Sequence, residues 1–495
     1  MLTEIRLDLD RQRGTIDRNI FGGFAEHLGR CIYGGIYDPD SPLAGHNGLR
    51  TDVLAALHRL RMPIIRYPGG NFASGYRWRD GVGSRLERPT RLDLAWHALE
   101  PNTFGTNEFI YFCRQLRAEP YLVVNCGDGD LREARDWVEY CNGTQDTALV
   151  KLRREHGYYA PHQVKYWGIG NEVDGQWQIG YKTPQEYARA FVEFGKVMKW
   201  VDPEIRLIAS ATSSWAPDWV ERFQLLLEAA GRPLPGCPQP LLDYLSIHWY
   251  VGNREDDFAG YMALSELFEE RLSACEGLIR AVSLAHGITH PVALAVDEWN
   301  VWYRTGVAEK LEEVYNLEDA LVTALQLNAF IRHARSVRMA NLAQIVNVIA
   351  PILTRPDGLV CQTIYYPFEL YSQHCGDIAL DPFWAGETFA GRGYTGIRVL
   401  DVAATLDTMR RQVALFVVNR SADQAVEAEV TLAAGQFSGP GQVLVVNGPD
   451  IKASNTFDAP DQVDCRKETV MVEGRSWRHT FEPHSVTALV CPVAR

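Results

Sequence analysis

No stretch of this 495-residue chain approaches the roughly 18 consecutive apolar residues that a transmembrane helix needs. Residues Met1 to Asp10 alternate polar and apolar without an apolar core, so no secretory signal is expected. Positive charge is scarce: 49 Lys+Arg against 62 Asp+Glu leave a net charge of −13. That excludes the basic surface of a nucleic-acid binder and says little about a neutral substrate. Metal-ligand spacing is missing too, with no HExxH, no HxH and no Cys/His cluster, so neither a metal nor a cofactor is expected. There is no P-loop and no GxSxG elbow. The ten cysteines include no CxxC pair, and several lie in apolar runs, as Cys126 does after Leu122-Val123-Val124. This is the pattern of reduced thiols in a cytoplasmic protein. Asp128 and Asp130 lack the further ligands of a calcium loop and read as a turn. Gly391 to Gly396 spells GxGxxG but opens no helix. Internal repeats and low-complexity segments are absent.

What remains is a globular composition, 46% hydrophobic and 22% charged, long enough for two domains. Two stretches share one design. Tyr166-Trp167-Gly168-Ile169-Gly170-Asn171-Glu172 and Pro291-Val292-Ala293-Leu294-Ala295-Val296-Asp297-Glu298 are apolar runs that end in a carboxylate. An ionised carboxylate at the mouth of a buried strand needs partners or a task. Two of them suit glycosidic bond cleavage, one carboxyl giving a proton and the other attacking or activating water.

Short apolar runs begin near residues 20, 63, 120, 165, 205, 244, 292 and 340. Helical spacing lies between them, over 49–60, 109–116, 132–140, 184–200, 219–230, 264–286 and 317–332. Thr183 before Pro184 is a helix start. Eight such units predict an α/β fold, a (β/α)8 TIM barrel over residues 17–375, with chemistry at the C-terminal strand ends. The polar residues fall there: Glu26, Arg66, Asn71, Asn125, Asn171, Glu172, His248, Tyr250, Glu298 and Gln344. An open doubly wound sheet would gather its ligand at one switch point, so polar ends all round the set favour closure. After residue 375 helical periodicity stops. Strands at 397–402, 412–419, 425–432, 442–447 and 486–490 predict an all-β sandwich, jelly-roll-like, over 376–495. The strand at 2–10 has no barrel role and is assigned to that sandwich, with residues 1–16.

Each candidate has a plainer reading. Glu172 and Glu298 as mere ion-pair partners is weakened by their matching contexts. Arg66 is either structural or the group that keeps a carboxylate ionised. Glu26-His27 is either a solvated strand end or part of a site. His248 shares a strand face with Tyr250 and is either a core histidine or functional. Trp177 and Trp302 read as core before sugar platforms.

Five stretches carry a family resemblance: Phe21-Gly22-Gly23-Phe24-Ala25-Glu26-His27, Arg66-Tyr67-Pro68-Gly69-Gly70-Asn71-Phe72, Trp167 to Glu172, Asp297-Glu298-Trp299-Asn300, and Ala343-Gln344-Ile345-Val346-Asn347-Val348-Ile349-Ala350-Pro351. In this order they resemble the α-L-arabinofuranosidases of glycoside hydrolase family 51, over nearly the whole chain. The resemblance implies Glu172 as general acid/base and Glu298 as nucleophile of a retaining, exo-acting hydrolase. It implies Glu26, Asn71, Asn171 and Gln344 on the furanose hydroxyls. Arg66, His248 and Tyr250 would position the catalytic pair, and Trp302 would wall the pocket. It also implies a barrel with a C-terminal sandwich that takes the N-terminal strand, an arabinofuranosyl oligosaccharide as substrate, and an intracellular homo-oligomer, often a hexamer. The segment Val301 to Tyr315 is shorter than in many members. The same two carboxylates would also serve a β-xyloside or an endo-β-glucan. A metal-dependent hydrolase or a non-catalytic sugar binder is the reading from another class.

Overall fold

The computed structural model describes residues 3–494. Eight parallel strands close a barrel: β1 (Gly22–Phe24), β2 (Ile64–Tyr67), β3 (Glu119–Val124), β4 (Tyr166–Ile169), β5 (Arg206–Thr212), β6 (Tyr244–Val251), β7 (Ala293–Val301) and β8 (Val337–Ala343). Neighbours in sequence are neighbours in space, and β8 pairs with β1 to seal the ring. The floor is filled by side chains from several strands, among them Ile64, Tyr166, Ile208 and Met339.

A helix follows every strand. Pro184–Val201 starts at a capping box: Thr183 accepts from Glu186 N–H while the Glu186 carboxylate takes Thr183 N–H. Leu317–Arg332 is buried at every position. It lies between the barrel and the second domain, where Asn328 and Arg332 bond Asp401 at 2.7 and 2.9 Å. Its near-continuous apolar sequence is explained by contact on all sides. The eighth helix, Tyr365–His374, is not evident from the sequence. Two aromatics and Pro367 at its start carry strand and turn signals, and packing overrides them.

Beyond the barrel a seven-stranded sheet faces a four-stranded one. The larger runs Gln12–Thr15, Ile378–Leu380, Leu400–Asp407, Gln412–Asn419, Ser485–Ala494, Gln436–Asn447 and Asp464–Gly474. The smaller runs Phe383–Ala385, Thr3–Leu7, Val426–Leu432 and Ser476–Phe481. Ile5, Leu7 and Val430 of one meet Val402, Leu415 and Leu489 of the other in a common core. The expected strand over 2–10 is shorter: Thr3–Leu7 pairs with Val426–Leu432, and residue 2 lies outside the described residues. A turn at Asp8 then sends Gln12–Thr15 into the other sheet. The sequence reading passes over Asp464–Gly474 and Ser476–Phe481 because their exposed faces are charged and their apolar alternation is weak. The GxGxxG letters form a hairpin, Thr388–Gly391 with Tyr394–Arg398.

Candidate active site

The site lies at the C-terminal ends of the barrel strands. Strand β4 stops because the backbone turns left-handed at Gly170 (φ 76°) and again at Glu172 (φ 44°). A Cβ at Gly170 would meet that of Cys126 at 2.8 Å. A glutamate in this region costs on the order of 1–3 kcal/mol, strain that structures hold at functional sites. The turn brings Glu172 towards β6 and β7. Its Oε2 accepts from the Trp177 indole at 2.9 Å, and its Oε1 lies 3.0 Å from His248 Nδ1.

On β7, Asp297 and Glu298 both face inward. Consecutive strand residues normally point to opposite faces. Register shifts in the pairing with β6 and β8 break the alternation between Val296 and Trp299. Glu298 Oε1 takes Arg66 Nη1 at 2.5 Å, and its Oε2 takes the Tyr250 hydroxyl at 2.8 Å. Arg66 donates through its other nitrogen to Asn171 Oδ1 at 2.6 Å. It is stacked under Phe24, 4.6 Å from the ring centre. Asp297 accepts from Tyr121 at 2.7 Å and from Ser246, and lies 3.2 Å from His248 Nε2.

The electrostatics follow. Burial alone would push Asp297 up, but the Arg66 charge and the His248 and Ser246 bonds hold it down at about 2. Burial would likewise lower His248. The Glu298 charge and the bonds to Asp297 and Glu172 outweigh it and raise the imidazole to about 10. The ring is therefore an imidazolium that donates to Glu172 on one side and Asp297 on the other. Glu26 is pushed up to about 8, first by burial and then by the charge of Glu298. Phe72 N–H at 3.1 Å, the Trp96 indole at 3.0 Å and the Arg66 charge oppose that rise, and the Gln344 amide also donates to Glu26 at 3.1 Å.

Glu26, Arg66, Asn171, Glu172, His248, Tyr250, Glu298 and Gln344 thus line one mouth. Asn71 joins through Asn171 Nδ2 at 3.4 Å and the Gln178 amide. Trp302 stands edge-on to Tyr250 at 5.7 Å. The core reading of Trp177 is wrong: the residue is 57% exposed and touches Glu172. A loop residue of this kind has no local periodicity that would place it. Five residues in the network were not singled out from the sequence: Asp297, Tyr121, Ser246, Trp96 and Gln178. Ser246 and Asp297 had signals, being two positions from His248 and adjacent to Glu298. Trp96 and Gln178 come from loops and had none.

One donor atom each from Glu172, His248 and Glu298 lies within 4.8 Å of the others, a spacing that would suit a cation. Arg66 already neutralises Glu298, however, and an imidazolium offers no lone pair. The same 4.8 Å limit places an oxygen of Glu172 close to one of Glu298 across the mouth.

Comparison with known proteins agrees with this architecture. Residues 56–261 match the α-L-arabinofuranosidase 1 domain, and residues 297–485 match the α-L-arabinofuranosidase C-terminal domain. The chain is 38% identical over 492 residues, 97% of each chain, to the intracellular exo-α-(1→5)-L-arabinofuranosidase 1 of Bacillus subtilis (strain 168). It superposes on the α-L-arabinofuranosidase of Thermotoga maritima in its arabinose complex with a TM-score of 0.89, at 38% identity over 99% of both chains. The family 51 α-L-arabinofuranosidase of Bifidobacterium longum gives a TM-score of 0.91 at 31% identity, over 99% of this chain and 100% of that one. With a closed barrel, a sandwich and this likeness along its whole length, the chain belongs to glycoside hydrolase family 51, the α-L-arabinofuranosidases.

Proposed function

We propose that the protein is a retaining, exo-acting α-L-arabinofuranosidase with Glu298 as nucleophile and Glu172 as acid/base. The observation that carries this is the pairing itself. The two carboxylates face each other across the mouth, one clamped by Arg66 and Tyr250, the other met by Trp177 and His248. The first has both oxygens fixed by donors and aimed into the site. The second is free to exchange a proton.

In the first step Glu298 attacks C1 of a terminal arabinofuranosyl unit. The C1–O bond breaks, and the proton of Glu172 goes to the departing oxygen. The glycosyl ester removes the charge from Glu298. Glu172, now a carboxylate between two N–H donors, takes a proton from water as the oxygen adds to C1. Sugar leaves with its configuration retained and Glu298 is freed. Glu26, Asn71, Asn171 and Gln344 are the polar groups placed to meet the furanose hydroxyls, with Trp302 as a wall. His248 and Asp297 position Glu172 and Arg66.

Residues 17–375 form the catalytic unit in this reading, with 1–16 and 376–495 as the accessory sandwich. A cytoplasmic location is in line with the name of the Bacillus relative. Among the described residues no helix is long and apolar enough to cross a membrane. We also read the protein as a homo-oligomer, which its sedimentation velocity checks.

The test is nitrophenol release from α-L-arabinofuranoside, β-D-xyloside and β-D-glucoside. Rapid release from the first alone, lost in Glu298→Ala and restored by azide in Glu172→Ala, is the expected pattern. Exhaustive chelation leaves the rate unchanged. A rate that collapses with chelator, or an azide rescue seen in neither variant, contradicts the assignment.

A further inference from the structure

Beside the catalytic mouth lies a second pocket, of about 350 Å³, that shares Tyr250 and Trp302 as walls. Three arginines line it: Arg254 from the loop after β6, Arg271 from helix Leu264–His286, and Arg392 from the sandwich. Among the described residues Arg254 and Arg392 make no hydrogen bond or ion pair, and both are exposed. Arg271 has no carboxylate either. It lies flat on Trp215, its guanidinium carbon 4.4 Å from the ring centre, and burial lowers its proton affinity. Two acids share the pocket. Glu255 and Asp257, the latter accepting the N–H of Gly260, leave the three guanidiniums one positive charge in excess.

The position of Arg392 is built, not incidental. It sits at the tip of the hairpin Thr388–Gly391 with Tyr394–Arg398. Arg392 (φ 52°) and Gly393 (φ 85°) both take left-handed conformations, the geometry of a tight hairpin turn. Asn, Asp or Gly is the ordinary first residue of such a turn, and arginine there is strained. The hairpin is docked on the barrel. A Cβ at Gly391 would meet Ala259 O at 2.6 Å, and Tyr394 donates to Glu270 at 2.7 Å. The sandwich thus carries an unpaired guanidinium to a pocket bounded by two residues of the catalytic wall.

Resting on the activity proposed above, we infer that this pocket takes the carboxylate of a uronic acid in the leaving saccharide, so that arabinofuranosyl units next to an acidic sugar are preferred substrates. Arabinose is neutral and has no need of three guanidiniums. A carboxylate matches the planar fork of arginine in geometry and charge. The volume accommodates one sugar unit.

The test uses two arabinofuranosyl oligosaccharides that differ in one group: a uronic acid next to the substituted unit, and its methyl ester. The measure is the ratio of their kcat/KM values. Wild type favours the free acid by about tenfold, the scale of one charge-assisted contact. The ratio falls toward one in Arg254→Ala and in Arg392→Ala, and Arg392→Lys keeps most of it. A wild-type ratio at or below one overturns the inference. So does a preference that survives in the Arg254→Ala/Arg392→Ala double variant. No turnover of nitrophenyl α-L-arabinofuranoside by wild type is a different failure, which overturns the underlying activity and this inference with it.

Discussion

Replacing Arg66 separates stability from catalysis in the central network. Its side chain is 1% exposed and lies between Glu298 and Asp297, 6% and 2% exposed. Arg66→Met leaves Glu298 and Asp297 without the guanidinium between them and Asn171 Oδ1 without its donor. Breaking a buried pair from one side costs about 3–5 kcal/mol. The sign with pH is fixed by the same argument. With Arg66 present Asp297 is held at about 2, below its ordinary value, so its contribution is present above pH 3.8 and is lost as pH falls towards 2. Without Arg66 the burial of Asp297, which raises its carboxyl, loses its main opposition, and the variant is penalised most above the ordinary carboxylate range. The gap from wild type therefore narrows on acidification. Arg66→Lys keeps the charge, but one ammonium cannot replace a fork that reaches Glu298 at 2.5 Å and Asn171 at 2.6 Å. Losing one charge-assisted bond lowers kcat/KM by roughly ten- to a hundredfold. The assays are the urea midpoint by tryptophan fluorescence at pH 4.5 and 7.5, and kcat/KM on an aryl arabinofuranoside. A Met variant as stable as wild type at pH 7.5, or a Lys variant with full activity, refutes the reasoning.

His248 is raised from 6.5 to about 10, so the stability it adds is complete below pH 6.5 and is lost as pH rises through about 10. The difference in urea midpoint between wild type and His248→Gln should shrink over that range, and a flat or widening difference would count against the imidazolium. Trp177→Phe removes one neutral donor from Glu172 at a largely exposed position. A drop in kcat/KM of about three- to tenfold is expected, with folding unchanged. A thermal shift of several degrees would instead show the indole to be a structural prop.

The barrel was legible because each of its strands carries a local signal. An apolar run long enough for a buried parallel strand ends in a polar residue, and amphipathic spacing follows it. Trp219–Ala230, Leu264–His286 and Leu317–Arg332 have the bounds that their periodicity implies. Glu172 and Glu298 stood out because a carboxylate after a buried run is costly anywhere in a sequence. These are properties of neighbouring residues, and the chain alone determines them. Other features depend on residues far apart. Asp297 faces the site only because pairing with β6 and β8 slips on either side of it, so strand alternation taken alone would turn it away. Trp96 and Trp177 lie on loops whose paths are set by what they pack against. Arg392 is one residue of a hairpin tip until the sandwich docks on the barrel. Gln12–Thr15 has no strand signal of its own and becomes a strand only by pairing with the distant Ile378–Leu380. Sequence determined which residues were costly to bury; tertiary structure decided which of them meet, because hydrogen bonds and ion pairs depend on distance in space and not along the chain.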